Sequence, residues 1–489
     1  MSDLGPVNEG GGDLTGGGSA GDLDSGILDL DGLTLDEAER EIYSHIIARN
    51  PEHDFEPSIV RVREVCTLLG DPQDAYRVVH LTGTNGKTST ARMIESLVRE
   101  HGLRTGLFTS PHLTTVRERI VIDGEPISQG SFVRLWQDVA PVIHLVDARS
   151  VEAGGPRLSF FEVLTVLAYA AFADAPVDVA VIEVGMGGIW DATNVATGEV
   201  AVIGPVARDH EQWLGHDLAG IAGEKAGIIK PGAAVVIAEQ AESVVPVFAD
   251  AVAEAGARVA WEGADIEVVE RQAGVGGQLV SLRTVAGTYT DIFVPLYGEY
   301  QAHNALLALA ATEALLAGGG EPQALAAEAV EAGFGSVTSP GRLEVVRTSP
   351  LILVDAAHNP HGIDAMVGAL EESFAFQSLV GVVGILADKD AEGILAGLEP
   401  ALDHVVLTAS NSPRALSPDE LREIAVPLFG EDRVSVASNV AGAIDAAAAI
   451  AERDTDIGGG VLVVGSITLI AEARVLTGAD RRKGVGRAR

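Results

Sequence analysis

The chain has 489 residues, well past the roughly 250–300 at which a single hydrophobic core stops growing, so at least two domains are expected. A hydrophobic fraction of 47% with 21% charged residues suits globular cores, and a formal charge of −37 repels nucleic-acid backbones and anionic lipid surfaces, excluding both as ready partners. The only cysteine, Cys66, rules out an internal disulfide and reads as a core residue of a protein in a reducing cytoplasm.

Residues 1–32 hold ten glycines, seven acidic residues and no basic one, a composition that buries too little apolar surface to order itself, so a disordered acidic tail is expected. No basic-then-apolar export pattern opens the chain, and its longest apolar run, residues 163–173, is too short to span a bilayer. The spacing of Leu35, Ala38, Ile42, Ile46 and Ile47 predicts a first helix. Apolar runs at 78–81, 106–109, 177–183, 200–204 and 233–238 then alternate with helical patterns, the βαβ rhythm of a mainly parallel sheet. Residues 279–296 alternate like hairpin strands and predict a small β subregion, followed by an Ala/Leu-rich helix over 301–317. Residues 333–341 read as a linker. Beyond it, runs at 351–354, 379–385, 404–408, 434–437 and 461–464 predict a second, Rossmann-like doubly wound domain.

Residues 81–88 read LTGTNGKT, after a β-branched strand and before a helix whose Ala91, Ile94, Leu97 and Val98 share one face. Gly83 and Gly86, with Thr84 and Asn85 between them, let backbone amides approach phosphate oxygens at a helix N-terminus; Lys87 adds a cation, and the Thr88 hydroxyl can reach Mg²⁺. The common G-x-x-x-x-G-K-[ST] spacing fails, because Leu81 stands at its first glycine position. The fold class expected is therefore α/β: a P-loop-type ATPase domain over 33–335 with its β subregion, and the Rossmann-like domain over 336–489.

The shorter GTNGKT form resembles the loop of the Mur ligase and folylpolyglutamate synthase superfamily, which makes amides through acyl phosphates. TSPHL at 109–113 with Glu118, Arg119 and Ile120 after it, EVGMGGIWDATN at 183–194, DHEQWLG at 209–215 and EKAGIIK at 224–230 resemble, in order, the motifs of folylpolyglutamate synthase and dihydrofolate synthase. That resemblance implies Thr88, Ser110 and Glu183 around a nucleotide Mg²⁺, with Glu183 and His210 near a second ion; taken alone, a histidine such as His210 is more often a hydrogen-bonded loop residue. Lys225 matches a lysine the superfamily carries as a carbamate, the alternative being an unmodified amine.

Asn304, in GEYQAHNA at 298–305, is implied for the adenine, with Tyr300 standing where the family has histidine. Arg342 is implied for the ATP phosphates, and Asp355, ending a strand as a Rossmann acidic residue does, for the ribose. His358 in DAAHNP, Arg414 in SPRA and Ser466 in VGSIT are implied for L-glutamate, Ser466 doubling as a possible helix N-cap. Phe160, Phe161, Trp190 and Asp191 are implied for the pterin end, although two adjacent phenylalanines are more often core than platform.

The activity implied is an ATP- and Mg²⁺-dependent ligase, with two Mg²⁺ ions and ATP as co-substrate, that adds L-glutamate to a reduced folate and to dihydropteroate and acts as a monomer. Lys87, Glu183, His210, Lys225 and His358 form its catalytic group. A Mur ligase acting on a UDP-muramyl precursor is opposed by TSPHL and by the mere fifty or so folded residues before the loop. A catalytically silent ATP sensor is opposed by retention of Lys87, Glu183 and His210.

Overall fold

The computed structural model describes residues 34–47, 58–209, 211–453 and 458–480; the acidic segment 1–32 and His210 lie outside the described residues. The first sheet has eight strands: β1 (Arg77–Thr82), β2 (Thr105–Phe108), β3 (Ile120–Ile122), β4 (Glu125–Pro126), β5 (Val179–Glu183), β6 (Val200–Ile203), β7 (Ala234–Ile237) and β8 (Arg258–Trp261). Their order is β4-β3-β2-β5-β1-β6-β7-β8, parallel from β2 to β8, with β2–β3 and β3–β4 antiparallel. Strand β1 is apolar on both sides because both faces are covered: Val79 and Leu81 enter one core and Val78 the other. With β5 and β6 on its two flanks, β1 delivers its carboxyl end to the crevice where the connections diverge.

A three-stranded antiparallel sheet follows, β9 (Glu267–Gly274), β10 (Gly277–Arg283) and β11 (Thr288–Val294), in the order β11-β10-β9. The expected hairpin is β10–β11; β9 is an addition, its exposed and half-buried residues giving too faint an apolar alternation to read. The second large sheet contains β12 (Glu344–Thr348), β13 (Leu351–Asp355), β14 (Ser378–Val383), β15 (His404–Leu407), β16 (Val434–Val436) and β17 (Gly459–Val464), ordered β12-β13-β17-β14-β15-β16. Only the β12 edge is antiparallel, and cores lie on both faces, which is the doubly wound architecture expected.

The helix Leu35–Ile47 forms as its spacing predicts and buries Ala38 and Ile42. Cys66 is a core residue, its thiol pushed up to about 12 by burial. Residues 163–173 lie within the helix Phe160–Asp174, and among the described residues no helix is long and apolar enough to cross a membrane. The expected linker is shorter than its composition suggests. Residues 333–335 finish the helix Ala327–Gly335, because Gly333, lacking a side chain, lets this helix lie against Leu97, where an added Cβ would meet the leucine at 2.8 Å.

The helix Glu299–Leu316 covers the small sheet and carries Glu313 into the core, where Thr284 and Tyr289 hydroxyls donate to Glu313 Oε1 at 2.8 and 2.7 Å. Burial raises this carboxyl to about 7. Between about 4.5 and 7 the folded state thus holds more protons than the unfolded chain, so this group's contribution to stability falls as pH rises through that window and stays unfavourable above it. Glu313→Gln keeps an acceptor oxygen without the charge. Its melting temperature is expected to exceed that of the wild type at pH 8 and to converge with it near pH 4.5; a difference independent of pH would contradict the buried charge.

The layers of the second large sheet meet the first large sheet's loops and the small sheet through apolar and ionic contacts. Leu113 packs on the core of the second sheet, the Tyr297 and Phe374 rings lie 4.9 Å apart, and Arg271 donates to Glu372 Oε2 at 2.7 Å.

Candidate active site

The helix Lys87–Glu100 begins directly after the glycine loop, with Gly86 at its N-cap. Gly86 has φ 80°, and a Cβ there would come within 2.5 Å of Asn304 Oδ1, so both the turn and the approach of the Asn304 amide require glycine. Lys87 Nζ reaches back to the carbonyls of Gly83 and Thr84 at 3.0 and 3.1 Å, while Thr84 Oγ1 donates to Ala207 O at 3.0 Å. Burial pulls the Lys87 ammonium down, and Glu183 and Asp209 oppose the shift.

Glu183 ends β5, beside the loop, with only 2% of its surface exposed. Thr88 Oγ1 lies 3.0 Å from each of its oxygens, and Ser110 N donates to Oε2 at 3.1 Å. Burial raises this carboxyl, against the pull of Lys87 and the bonds from Ser110 and Thr88. Among the described residues no group of three His, Cys, Asp or Glu gathers as an all-protein metal cage. A hydroxyl, a carboxylate and the adjacent Ser110 instead fit Mg²⁺, which takes one or two carboxylates and completes its octahedron with phosphate and water oxygens.

Lys225, near the end of the helix Leu218–Ala226, is 4% exposed and donates to the same Gly83 carbonyl at 2.9 Å. Burial, followed by repulsion from Lys87, lowers it to about 7. The two lysines therefore converge on one loop carbonyl, although Lys225 lies 142 positions from Gly83 in sequence.

Across the crevice, His358 lies 3.8 Å from Asp209 and its proton affinity is lowered by burial and by Lys389. Lys389 Nζ donates to Asp209 Oδ1 at 3.1 Å, Asn359 Nδ2 to Asp209 Oδ2 at 3.1 Å, and the loop's Asn85 meets His361 Nδ1 at 3.0 Å. Asp209, Lys389 and Asn359 went unassigned from sequence, although Lys389 follows β14 in an Ala-Asp-Lys-Asp turn, the strand-end position that flags such residues.

Asp355 is buried at the end of β13, and its two oxygens accept from Leu343 N and Ala357 N, both at 2.7 Å. The carboxylate is thus tied to the turn that carries Arg342. Ser466 caps the helix Ile467–Thr477, accepting from Leu469 N at 3.3 Å. Arg414 is exposed and pairs with Asp388 at 2.5 Å, next to Lys389 in sequence. His358 and Arg414 therefore flank one loop, while Ser466 meets the 409–415 segment through Thr468, whose hydroxyl is 2.8 Å from Ser410.

Around the Phe160–Phe161 pair a capping box fixes the helix start: Ser159 N donates to Glu162 Oε2 at 2.6 Å, and Arg61 holds the other oxygen at 2.9 Å. Phe160 and Phe161 leave that turn in different directions. Phe161 packs under Gly185 and against Phe108, 5.7 Å away, in a core contact. Phe160 stacks on Tyr43 at 5.2 Å with Arg119 over its ring. Arg119 Nε–H donates to His112 Nδ1 at 2.9 Å, so the imidazole proton sits on Nε2, facing the Tyr43 hydroxyl at 3.2 Å; burial holds His112 near 4 and hence neutral. Tyr43 joins this cluster of side chains and went unassigned from sequence. Asp191 accepts from Met186 N and Thr193 N at 2.9 and 3.0 Å, shaping the loop, and Trp190 borders Gly187 in the same turn.

The resulting site is a half-buried glycine loop with a buried carboxylate held by a hydroxyl, two lysines and an opposing polar wall from a second α/β layer. Comparison with known families matches the Mur ligase middle domain over residues 131–312 and the Mur ligase glutamate ligase domain over residues 341–467. The class is that of the Mur-type ATP-dependent ligases. The chain is 48% identical over 450 residues to the dihydrofolate synthase/folylpolyglutamate synthase of Mycobacterium tuberculosis, spanning 88% of this chain and 92% of that protein. It is 37% identical to the folylpolyglutamate synthase of Lacticaseibacillus casei, over 72% of this chain and 82% of the relative. Among solved structures, M. tuberculosis folylpolyglutamate synthase complexed with ADP superposes with a TM-score of 0.85 at 46% identity, covering 91% of this chain and 98% of that one. E. coli FolC in complex with DHPP and ADP gives 0.77 at 28% identity, over 91% and 98%. The chain belongs to the dihydrofolate synthase/folylpolyglutamate synthase family.

Proposed function

We propose that this protein joins L-glutamate to tetrahydrofolate, lengthening its glutamate tail, and to dihydropteroate, forming dihydrofolate, at the cost of ATP. The observation that carries the reading is the Thr88 hydroxyl held on the buried Glu183 carboxylate at the mouth of the glycine loop, opposite the Lys389–Asp209 pair. The names of the relatives support the acceptors.

A pterin carboxylate oxygen attacks the γ-phosphorus and ADP leaves; the glutamate amine then attacks the acyl carbon and phosphate leaves. Both reactants of the first step are anions, so Lys87 and Arg342 act by charge neutralisation and alignment. Thr88, Ser110 and Glu183 would hold Mg²⁺, with His210 and Glu183 near a second ion; the metal supplies further neutralisation on the phosphates. Asn304 and Asp355 serve the nucleoside, Phe160, Phe161, Trp190 and Asp191 bound the pterin, and His358, Arg414 and Ser466 receive glutamate. In this reading 33–335 forms the ATP- and pterin-binding domain and 336–489 the glutamate-binding domain, acting as a monomer; closure of the crevice excludes the water that would hydrolyse the acyl phosphate.

The test is incubation with ATP, Mg²⁺ and L-glutamate while offering tetrahydrofolate, dihydropteroate or a UDP-muramyl acceptor in turn. Phosphate release with a glutamate mass increment on the two pterins is expected. Turnover of the muramyl acceptor alone, or of none, overturns the assignment.

A further inference from the structure

Residues 339–344 lead from the helix Ala327–Gly335 into β12 and deliver Arg342 to the crevice, where it lines a cleft with Thr88 and its charge bears on Lys87, Glu183 and His358. The backbone of this turn is pinned at successive positions. Arg342 N donates to Ser339 O at 3.1 Å, Leu343 N to Asp355 Oδ2 at 2.7 Å, and Gly341 O accepts from Ala356 N at 2.9 Å. Gly341 takes φ 72°, and Leu343 takes φ 40°, a left-handed conformation that costs a leucine energy and persists only where its surroundings impose it.

One further pin comes from a distant helix. Gly341 N donates to Glu344 Oε2 at 2.7 Å, and the same oxygen accepts from Arg474 Nη1, on the helix Ile467–Thr477. Arg474 is 5% exposed and its Nε has no hydrogen-bond partner, so its pairing with Glu344 is what orients it. That helix also presses Ile470 on the turn, where a Cβ added to Gly341 would meet Ile470 Cγ2 at 3.3 Å. Neither Glu344 nor Arg474 lines the cleft that holds Arg342 and Thr88. A buried ion pair adds little net stability, because desolvation offsets the attraction; what it supplies is one fixed arrangement. We infer that the Arg474–Glu344 pair is a positioning element for the reaction, locking the 341–343 turn so that the Arg342 guanidinium stays beside Thr88. The inference takes the role of Arg342 from the ligase reading above. Without Arg474, the partly exposed Glu344 carboxylate is free to leave the Gly341 amide, the turn at Leu343 relaxes, and Arg342 samples other positions.

The experiment is a double-mutant cycle on the full chain: wild type, Arg474→Met, Arg342→Ala and the double variant. Each is measured for kcat/KM of ATP in glutamate transfer to tetrahydrofolate and for the ATP dissociation constant. Arg474→Met is expected to lower kcat/KM about 10- to 100-fold, the scale of a group displaced within a preorganised site. Arg342→Ala is expected to lose about 100-fold or more. In the Arg342→Ala background, Arg474→Met should cost no more than about twofold further, because its effect passes through Arg342. A merely structural role would multiply the two losses. Arg474→Lys should recover part of the loss, and Glu344→Gln replaces Arg474→Met in the cycle if the methionine variant fails to fold. Wild-type kcat/KM in Arg474→Met, multiplied losses in the double variant, or an Arg342→Ala enzyme equal to wild type overturns the inference. A wild type that forms no glutamate adduct overturns the ligase reading instead, and the same cycle on the ATP dissociation constant then decides the positioning role by itself.

Discussion

Replacing Lys87 by alanine is expected to lower kcat/KM for ATP-dependent glutamate transfer by about 10³-fold or more, the scale of losing a preorganised charge at a reacting group. Lys87 opens the helix that follows the glycine loop, its ammonium is held over the loop by the Gly83 and Thr84 carbonyls, and Glu183 and Asp209 help keep it charged despite burial. Among the described residues the other lysine hydrogen-bonded to the loop is Lys225, which donates to the same carbonyl and approaches neutrality near pH 7. The alanine variant should fold, since the lost contacts are two carbonyl hydrogen bonds on a half-buried side chain. Measured kcat/KM within about tenfold of wild type would remove the loop from the chemistry.

Lys225→Ala is expected to cost about 10²- to 10³-fold in kcat, with partial rescue by formate or acetate if the lysine works as a carbamate, because a short carboxylate can then occupy the space of the missing oxygens. Carbon dioxide adds only to a neutral amine. A depressed Lys225 supplies that form progressively as pH rises through about 7, where an ordinary lysine stays almost wholly charged. The same shift makes native stability rise with pH between about 7 and 10.5, because the unfolded chain holds the extra proton across that window. A carbamate resonance after incubation with ¹³C-bicarbonate, absent in the variant, is the direct readout; its absence from wild type together with failed rescue would leave Lys225 as a simple cation.

Much of this was legible in one dimension for a physical reason: the loop and the strand ends are local objects. A glycine pair before a helix, or a carboxylate closing an apolar strand such as β5, is written in neighbouring residues, and the buried parallel strands announce themselves as β-branched runs covered on both faces. Edge elements were harder. Strands β3, β4, β8, β9 and β12 are short or partly exposed, so their apolar signal is diluted, and the helical end at Gly333 read as linker because glycine marks flexibility and close approach alike.

By itself the sequence determined an α/β chain with a phosphate loop, a ligase motif order and two doubly wound layers, since each depends on short-range pattern and residue chemistry. Tertiary structure alone decided which side chains share a space. It brought Lys225 onto the Gly83 carbonyl, set Lys389 against Asp209, and turned Phe161 into the core while Phe160 joined Tyr43. These pairings join positions tens to hundreds of residues apart, and burial then set their charges, an effect of the surrounding dielectric that no local motif encodes.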